Sequence, residues 1–278
     1  MPLTESTPSA HLAQFLAGLA HRPAVLVQVE QAQGSVPREV GTWMAVFEDM
    51  LIATVGGGHL EYQAIDQARA MLRASKAPSP AIQRFALGPA LGQCCGGVVH
   101  LRFESVSAAD APALVLRLQA QLMPVALFGG GHVGFALVRV LATLPYALTW
   151  VDSRDGVFPC GLPAHVFTEY SDPVQSAVKH LAPQSRVLIM SFSHAEDLEI
   201  LAACLQRQRE RADLPYIGLI GSKTKWASFG SRLQSRGFTA TELAHVTCPI
   251  GVAGISGKEP SVIAVAVAAQ LLQIGFLQ

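Results

Sequence analysis

Two kinds of hydrophobic pattern alternate along the chain. Residues 24–29 (AVLVQV) and 43–47 are short, apolar, β-favouring runs, separated by the turn-prone Gly34, Ser35, Val36 and Pro37; residues 51–55 read as a third strand and 98–104 as another. Between them Leu60, Ala64, Ile65, Ala68 and Leu72 recur at helical spacing, so a helix is predicted over 59–75, with another over 9–20. These elements make a first, mixed α/β unit. Residues 105–112 then turn to Ser, Ala, Asp and Pro, which supply no core, and this places the domains at 1–106 and 107–278.

After a connecting helix over 113–121 the pattern becomes regular. Strands at 125–128, 148–152, 186–190 and 216–220 alternate with helices at 132–143, 196–211 and 225–236. Strands that are apolar throughout, rather than at every second residue, belong in a sheet covered on both faces. The fold class is therefore α/β, with the second unit a Rossmann-like, doubly wound parallel sheet. The apolar stretch 262–277 is interrupted by Gln270 and Gln273 and falls short of the ~20 residues of a membrane helix, so it reads as a buried helix.

Composition narrows the function classes. Charged residues are only 14% of 278, with 50% hydrophobic residues and a mean hydropathy of +0.35, so part of the surface is expected to be apolar. Twenty basic and twenty acidic residues cancel, which removes the electrostatic reason to bind nucleic acid or an anionic membrane. Residues 1–21 show no basic region followed by an apolar run, and the five cysteines form no disulfide framework; a reducing cytoplasm is expected.

The candidate chemistry lies in glycine loops. Gly129, Gly131 and Gly134 form G-x-G-x-x-G between a strand and a helix, and Asp152 ends the next strand, where an acid that receives a ribose hydroxyl belongs. Arg154 is either a contact for a phosphorylated ligand or a solvated loop charge. His194 and Asp197 follow the strand at 186–190 and read equally as an acid/base pair or as the start of a helix capped by Ser193. Gly56, Gly57 and Gly58 precede a helix and offer N–H groups to an anion, with Arg38 as a charge partner; Glu61 in the first turn has a plain dipole-stabilising alternative. Lys223 and Lys225 sit in a further glycine loop. Cys94 and Cys95 lie between glycines, where a thiolate suits a soft metal or sulfur chemistry, whereas Cys160 and Cys204 read as buried small hydrophobes.

Taken in order, the segments GSVPREVGTWMAV (34–46), TVGGGHLEYQAI (54–65), LGQCCGG (91–97), LFGGGHVG (127–134), VDSR (151–154), GLIGSKTKWASF (218–229) and CPIGVAGISGKEPSVIAVAVAAQLL (248–272) resemble the XdhC-type xanthine dehydrogenase accessory proteins of the XdhC/CoxI family. The likeness spans nearly the whole chain and implies an XdhC/CoxI-like first domain followed by a Rossmann-like one. It implies a molybdenum cofactor chaperone, not a catalyst, that protects the cofactor during sulfuration and inserts it into xanthine dehydrogenase or a related hydroxylase. It further implies contact with a cysteine desulfurase and a homodimer. Cys94 or Cys95 would hold the metal, with Gln93 beside them; His132, Arg154 and Lys223 join the glycine loops as cofactor contacts. The competing class is an NAD(P)-dependent oxidoreductase using Gly129, Gly131, Gly134 and Asp152.

Overall fold

The uninterrupted apolar start of the first strand puts it at the centre of its sheet. In the computed structural model, which describes residues 8–74, 80–87, 96–118 and 122–275, β1 (Ala24–Gln33) is the middle strand of five, in the order β3-β2-β1-β5-β4. It pairs antiparallel with β2 (Trp43–Val46) and β5 (Val98–Val106), and β3 (Leu51–Ala53) and β4 (Ala81–Ala86) extend the two sides. Val25, Val27 and Val29 share a core with Leu60, Ala64 and Ala68 of α2 (Gly58–Arg73). Ala24 and Leu26 share another with Phe15 of α1 (Pro8–Leu19) and with Leu114 and Leu118 of α3 (Ala111–Leu118).

That last packing moves the boundary expected from composition. Helix α3 brings two leucines to the core around Phe15, and the chain divides into compact units Met1–Ala120 and Gln121–Gln278 rather than at 106 and 107. Strand β4 was not anticipated. It is an edge strand whose inward residues are only partly buried apart from Phe85, and Ile82 on its other side is exposed. Neither a continuous apolar run nor a clean polar face marks it.

The second unit is a six-stranded sheet in the order β11-β10-β9-β6-β7-β8, with every recorded pairing parallel. The chain enters at β6 (Met123–Phe128), moves outward through β7 (Tyr146–Asp152) to β8 (Val166–Tyr170), then crosses back to β9 (Arg186–Ile189), β10 (Tyr216–Leu219) and β11 (Val246–Thr247). The direction of winding therefore reverses between β6 and β9, and the crevice outside their carboxyl ends is where such a sheet receives ligands. Helices α4 (His132–Leu141) and α8 (Pro260–Gly275) cover one face, through Leu137, Leu141, Val267 and Leu271 on Leu127, Leu148 and Trp150. Helices α5 (His194–Arg211), α6 (Lys223–Ser235) and the short α7 (Ala240–Leu243) cover the other, through Leu201, Phe229 and Leu243. Helix α8 is only half buried, since Val265 faces solvent, and no helix among the described residues is long and apolar enough to cross a membrane.

One buried charge braces this second layer. Arg207, 5% exposed, donates from Nε and Nη2 to Asp213 at 2.9 and 2.7 Å, and from Nη1 to the carbonyls of Val178 and Leu181 at 2.7 and 3.0 Å. It ties α5 to the 3-10 segment Val174–His180 and to the approach to β10. Replacing Arg207 with Met leaves a half-buried carboxylate and two carbonyls without their donor. The second unit is expected to lose about 3–5 kcal/mol of stability, read from urea unfolding followed by tryptophan fluorescence.

Candidate functional site

At the end of β6 the chain makes a turn that only glycine permits. Gly129 has φ of 125°, and a side chain there would meet the Met190 carbonyl oxygen at 2.0 Å; a side chain at Gly134 would meet the Gly129 carbonyl oxygen at the same distance. The loop thus nests between β9 and its own helix, and Trp150 Nε1 donates to the Gly129 carbonyl at 3.0 Å. Gly131 differs. A side chain at that position would meet nothing within 4 Å, so the start of α4 faces open space. Gly131 caps α4 without any side-chain hydrogen bond, and both it and His132 are exposed. The first N–H groups of a ten-residue helix are therefore left for a ligand, with the positive end of the helix dipole behind them.

Asp152 ends β7, as the sequence pattern requires, but it is not offered to a ligand. It is 2% exposed, and its Oδ2 accepts from Gly130 N at 2.5 Å and from Arg154 Nη2 at 2.9 Å. Its Oδ1 accepts from the Arg154 backbone N–H and from Arg154 Nε, both at 2.9 Å. Burial works against ionisation of this carboxyl, but the Arg154 guanidinium and the two backbone N–H groups outweigh it and hold the pKa below the usual carboxylate value. Arg154 is accordingly not a lone loop charge: its guanidinium forks onto Asp152 and lies 4.9 Å from the centre of the Phe192 ring, while its side chain stays 38% exposed.

Across the reversal point, Ser193 Oγ accepts from Glu196 N at 3.2 Å and caps α5. Asp197 accepts from the N–H and hydroxyl of Ser191, both at 2.8 Å, and from Lys225 Nζ at 2.7 Å, while Lys225 also donates to the Ile220 carbonyl at 2.9 Å. His194 is exposed and stands edge-on to Phe229, with ring centres 6.3 Å apart, so the structure shows no hydrogen bond joining it to Asp197 as an acid/base pair. Lys223 is exposed at the start of α6; the lysine that turns inward is Lys225, whose stem occupies room that a side chain at Gly221 would fill. Cys248 Sγ lies 3.4 Å from that same position, and burial pushes its thiol pKa up, with Lys225 opposing and Asp197 adding to the rise.

Glu196 was not singled out by sequence, since an acid in a helix's first turn carries no distinguishing signal. Its Oε1 accepts from Ser153 Oγ at 2.6 Å, whereas its Oε2 is buried without any hydrogen-bond partner.

In the first unit the glycine loops converge. A side chain at Gly56 would meet Pro37 at 2.8 Å and Arg38 at 3.4 Å; one at Gly97 would meet the Ser35 carbonyl oxygen at 2.4 Å. Loops 34–38, 54–58 and 96–97 therefore meet at one end of the first sheet. Of the N–H groups expected to meet an anion here, Gly57 N donates to Glu61 Oε2 at 3.1 Å and Gly56 N to Thr54 Oγ1 at 3.1 Å; Glu61 Oε2 also accepts from Val55 N at 3.0 Å and from the Thr54 hydroxyl. Gln93, Cys94 and Cys95 lie outside the described residues. Of the other cysteines, Cys204 is the buried hydrophobe expected, its thiol pushed up to about 12 by burial, whereas Cys160 is exposed in a surface loop. Among the described residues no group of His, Cys, Asp and Glu is placed to hold a metal ion.

Residues 125–271 match the model of the XdhC Rossmann domain, and residues 19–85 that of the XdhC and CoxI family. The uncharacterized protein YqeB of Escherichia coli K12 is 25% identical over 255 residues, covering 91% of this chain. The chain spans only 43% of that relative's length. A crystal structure from Bacillus halodurans, described as a xanthine dehydrogenase, shares the fold with a TM-score of 0.77 at 20% identity, over 95% of each chain.

The Asp152 geometry makes two checkable statements. Asp152→Asn weakens the charge-assisted bonds to Arg154 and puts an amide where one of the donors now points; the second unit is expected to lose about 2–3 kcal/mol in denaturant unfolding. Because the folded-state pKa is depressed, this stabilisation is intact above the ordinary carboxylate value of about 4 and disappears as pH falls through the lower folded value. The wild-type protein should lose stability across that acid range more steeply than the Asn variant, as followed by thermal melting against pH.

Proposed function

Since the chain belongs to the XdhC family, we propose that it is an accessory factor that binds the molybdenum cofactor, shelters it while its terminal sulfido ligand is installed, and delivers it to xanthine dehydrogenase or a related molybdenum hydroxylase. The observation that carries this reading is the start of α4. Its unclaimed N–H groups and the open approach over Gly131 suit the phosphate of such a cofactor, and the loop is already shaped before any ligand arrives. The cofactor is cargo rather than a resident group. Cys94 and Cys95, in the first unit, are thiolates of the kind that suits a soft metal, and the chain leaving them packs through Gly97 on Ser35, beside the loop that carries Arg38.

A cysteine desulfurase would supply the sulfur, a second copy of the chain would complete a homodimer, and the reducing cytoplasm would keep the cysteines as thiols. The nicotinamide alternative calls for an acid at the end of β7 that is free to meet a ribose. Asp152 is committed to Gly130 and Arg154, so no observation favours that alternative.

The test is reconstitution. Apo xanthine dehydrogenase incubated with purified cofactor should gain activity faster and further with this protein than without it, and Cys94→Ala/Cys95→Ala protein should retain less cofactor through gel filtration. Unchanged retention in the double variant would remove the thiolate role. No gain in activation, together with NAD(P)-dependent turnover by the protein alone, would replace the reading with the oxidoreductase one.

A further inference from the structure

Strand β4 ends one side of the first sheet, and its outward edge has no strand beside it. Leu87 N donates to the Gly97 carbonyl at 2.8 Å, which fixes how the antiparallel ladder alternates. Phe85, Gln83 and Ala81 turn their backbone groups to β5, and Ala86, Arg84 and Ile82 turn theirs outward. The side chains sort in the same way. Phe85, 5% exposed, shares the core with Leu60 and Ala64 of α2, whereas Ile82 is 60% exposed and Arg84 is exposed. The residues that offer unpaired N–H and C=O groups are thus the ones whose side chains stand on the face away from α2.

That face is short of negative charge. Arg84 stands directly opposite His100 and Ile82 opposite Arg102, in the closer kind of antiparallel pair, and Arg84 and Arg102 are diagonal neighbours. Glu104, next along β5 on the same face, is held by Arg117 at 2.8 Å, and Arg102 reaches it only at 3.7 Å. Arg84 forms no ion pair among the described residues, and the flanking segments 75–80 and 87–97 contain no Asp or Glu. Charge on an edge strand keeps out indiscriminate pairing. Here it also selects: a basic strand laid along β4 is repelled by the two guanidiniums, whereas an acidic one satisfies them together with the backbone row.

We propose that β4 is a docking edge for an extended acidic segment of another protein, which adds a sixth strand to the five of the first sheet and sets its carboxylates on the face of Arg84 and Arg102. Ile82 gives the apolar stem of an acidic side chain a surface to lie on. A second copy of the chain does not fit this edge, because no described strand carries acids at alternate positions. The edge lies wholly in the first unit and is independent of the cofactor reading.

The experiment is fluorescence anisotropy of the full-length protein with a labelled peptide of alternating Glu and Val, set against the same peptide with Lys in place of Glu and against an oligothymidylate of equal length. The acidic peptide should bind about tenfold or more tightly than the lysine one, and its affinity should fall as NaCl rises from about 0.05 to about 0.5 M. Arg84→Glu should weaken it by about tenfold or more. Ala86→Pro removes one outward N–H, leaves the β4–β5 bonds in place, and should weaken binding by about tenfold. Melting temperature checks that each variant is folded, and Ile82→Pro takes the place of Ala86→Pro if that variant is not. No binding of the acidic peptide, equal binding of the two peptides, or full affinity in Arg84→Glu overturns the acidic partner. Full affinity in the folded proline variant overturns strand addition. Tighter binding of the oligothymidylate than of the acidic peptide replaces the protein partner with a single-stranded nucleic acid.

Discussion

The carboxylate of Asp152 is the interaction on which the second unit's crevice depends. Taking a charge out of water is costly, and this one is offset by a bidentate guanidinium and two backbone N–H groups arranged around both oxygens. The return is geometric. Gly130 is held to the end of β7, Gly129 is pressed against β9, and α4 begins at a fixed place with its N–H groups facing outward. A ligand that settles there does not have to order the loop, so the entropy of ordering is not drawn from its binding free energy.

The two units meet the same problem in related ways. In each, a glycine-rich turn ahead of a helix exposes N–H groups that favour an anion, and in each an acidic side chain of the chain itself answers some of them. Glu61 answers the N–H groups of Val55 and Gly57 ahead of α2. Asp152 answers only Gly130 and leaves the helix start beyond it open. Neither carboxylate's partners could be read from the glycine motif alone.

Much of the architecture was legible because it rests on long local patterns. The parallel core strands β6, β7, β9 and β10 are largely apolar and the helices between them are strongly periodic, so both were placed within a few residues. The elements that escaped were β4, β8, β11 and α7, which are short and, for β4 and β8, lie at a sheet edge with exposed side chains. The site was half legible. Sequence put Asp152 at the right strand end but not facing Arg154 and Gly130, because those bonds exist only once the loop after β6 and the turn after β7 are folded together. Glu196 was invisible, and Lys225 was legible only as a loop lysine, for a related reason: each sits in an ordinary first turn of a helix, and only the folded sheet brings one to Ser153 and the other to Asp197.

The most direct test of this account is a crystal structure of the protein with molybdopterin bound. The account predicts the phosphate within hydrogen-bond distance of the N–H groups of His132 and Val133, with Asp152 still joined to Gly130 and Arg154. A ligand hydroxyl on Asp152 with Arg154 swung away, or a phosphate seated at residues 54–58 in place of Glu61, would contradict it.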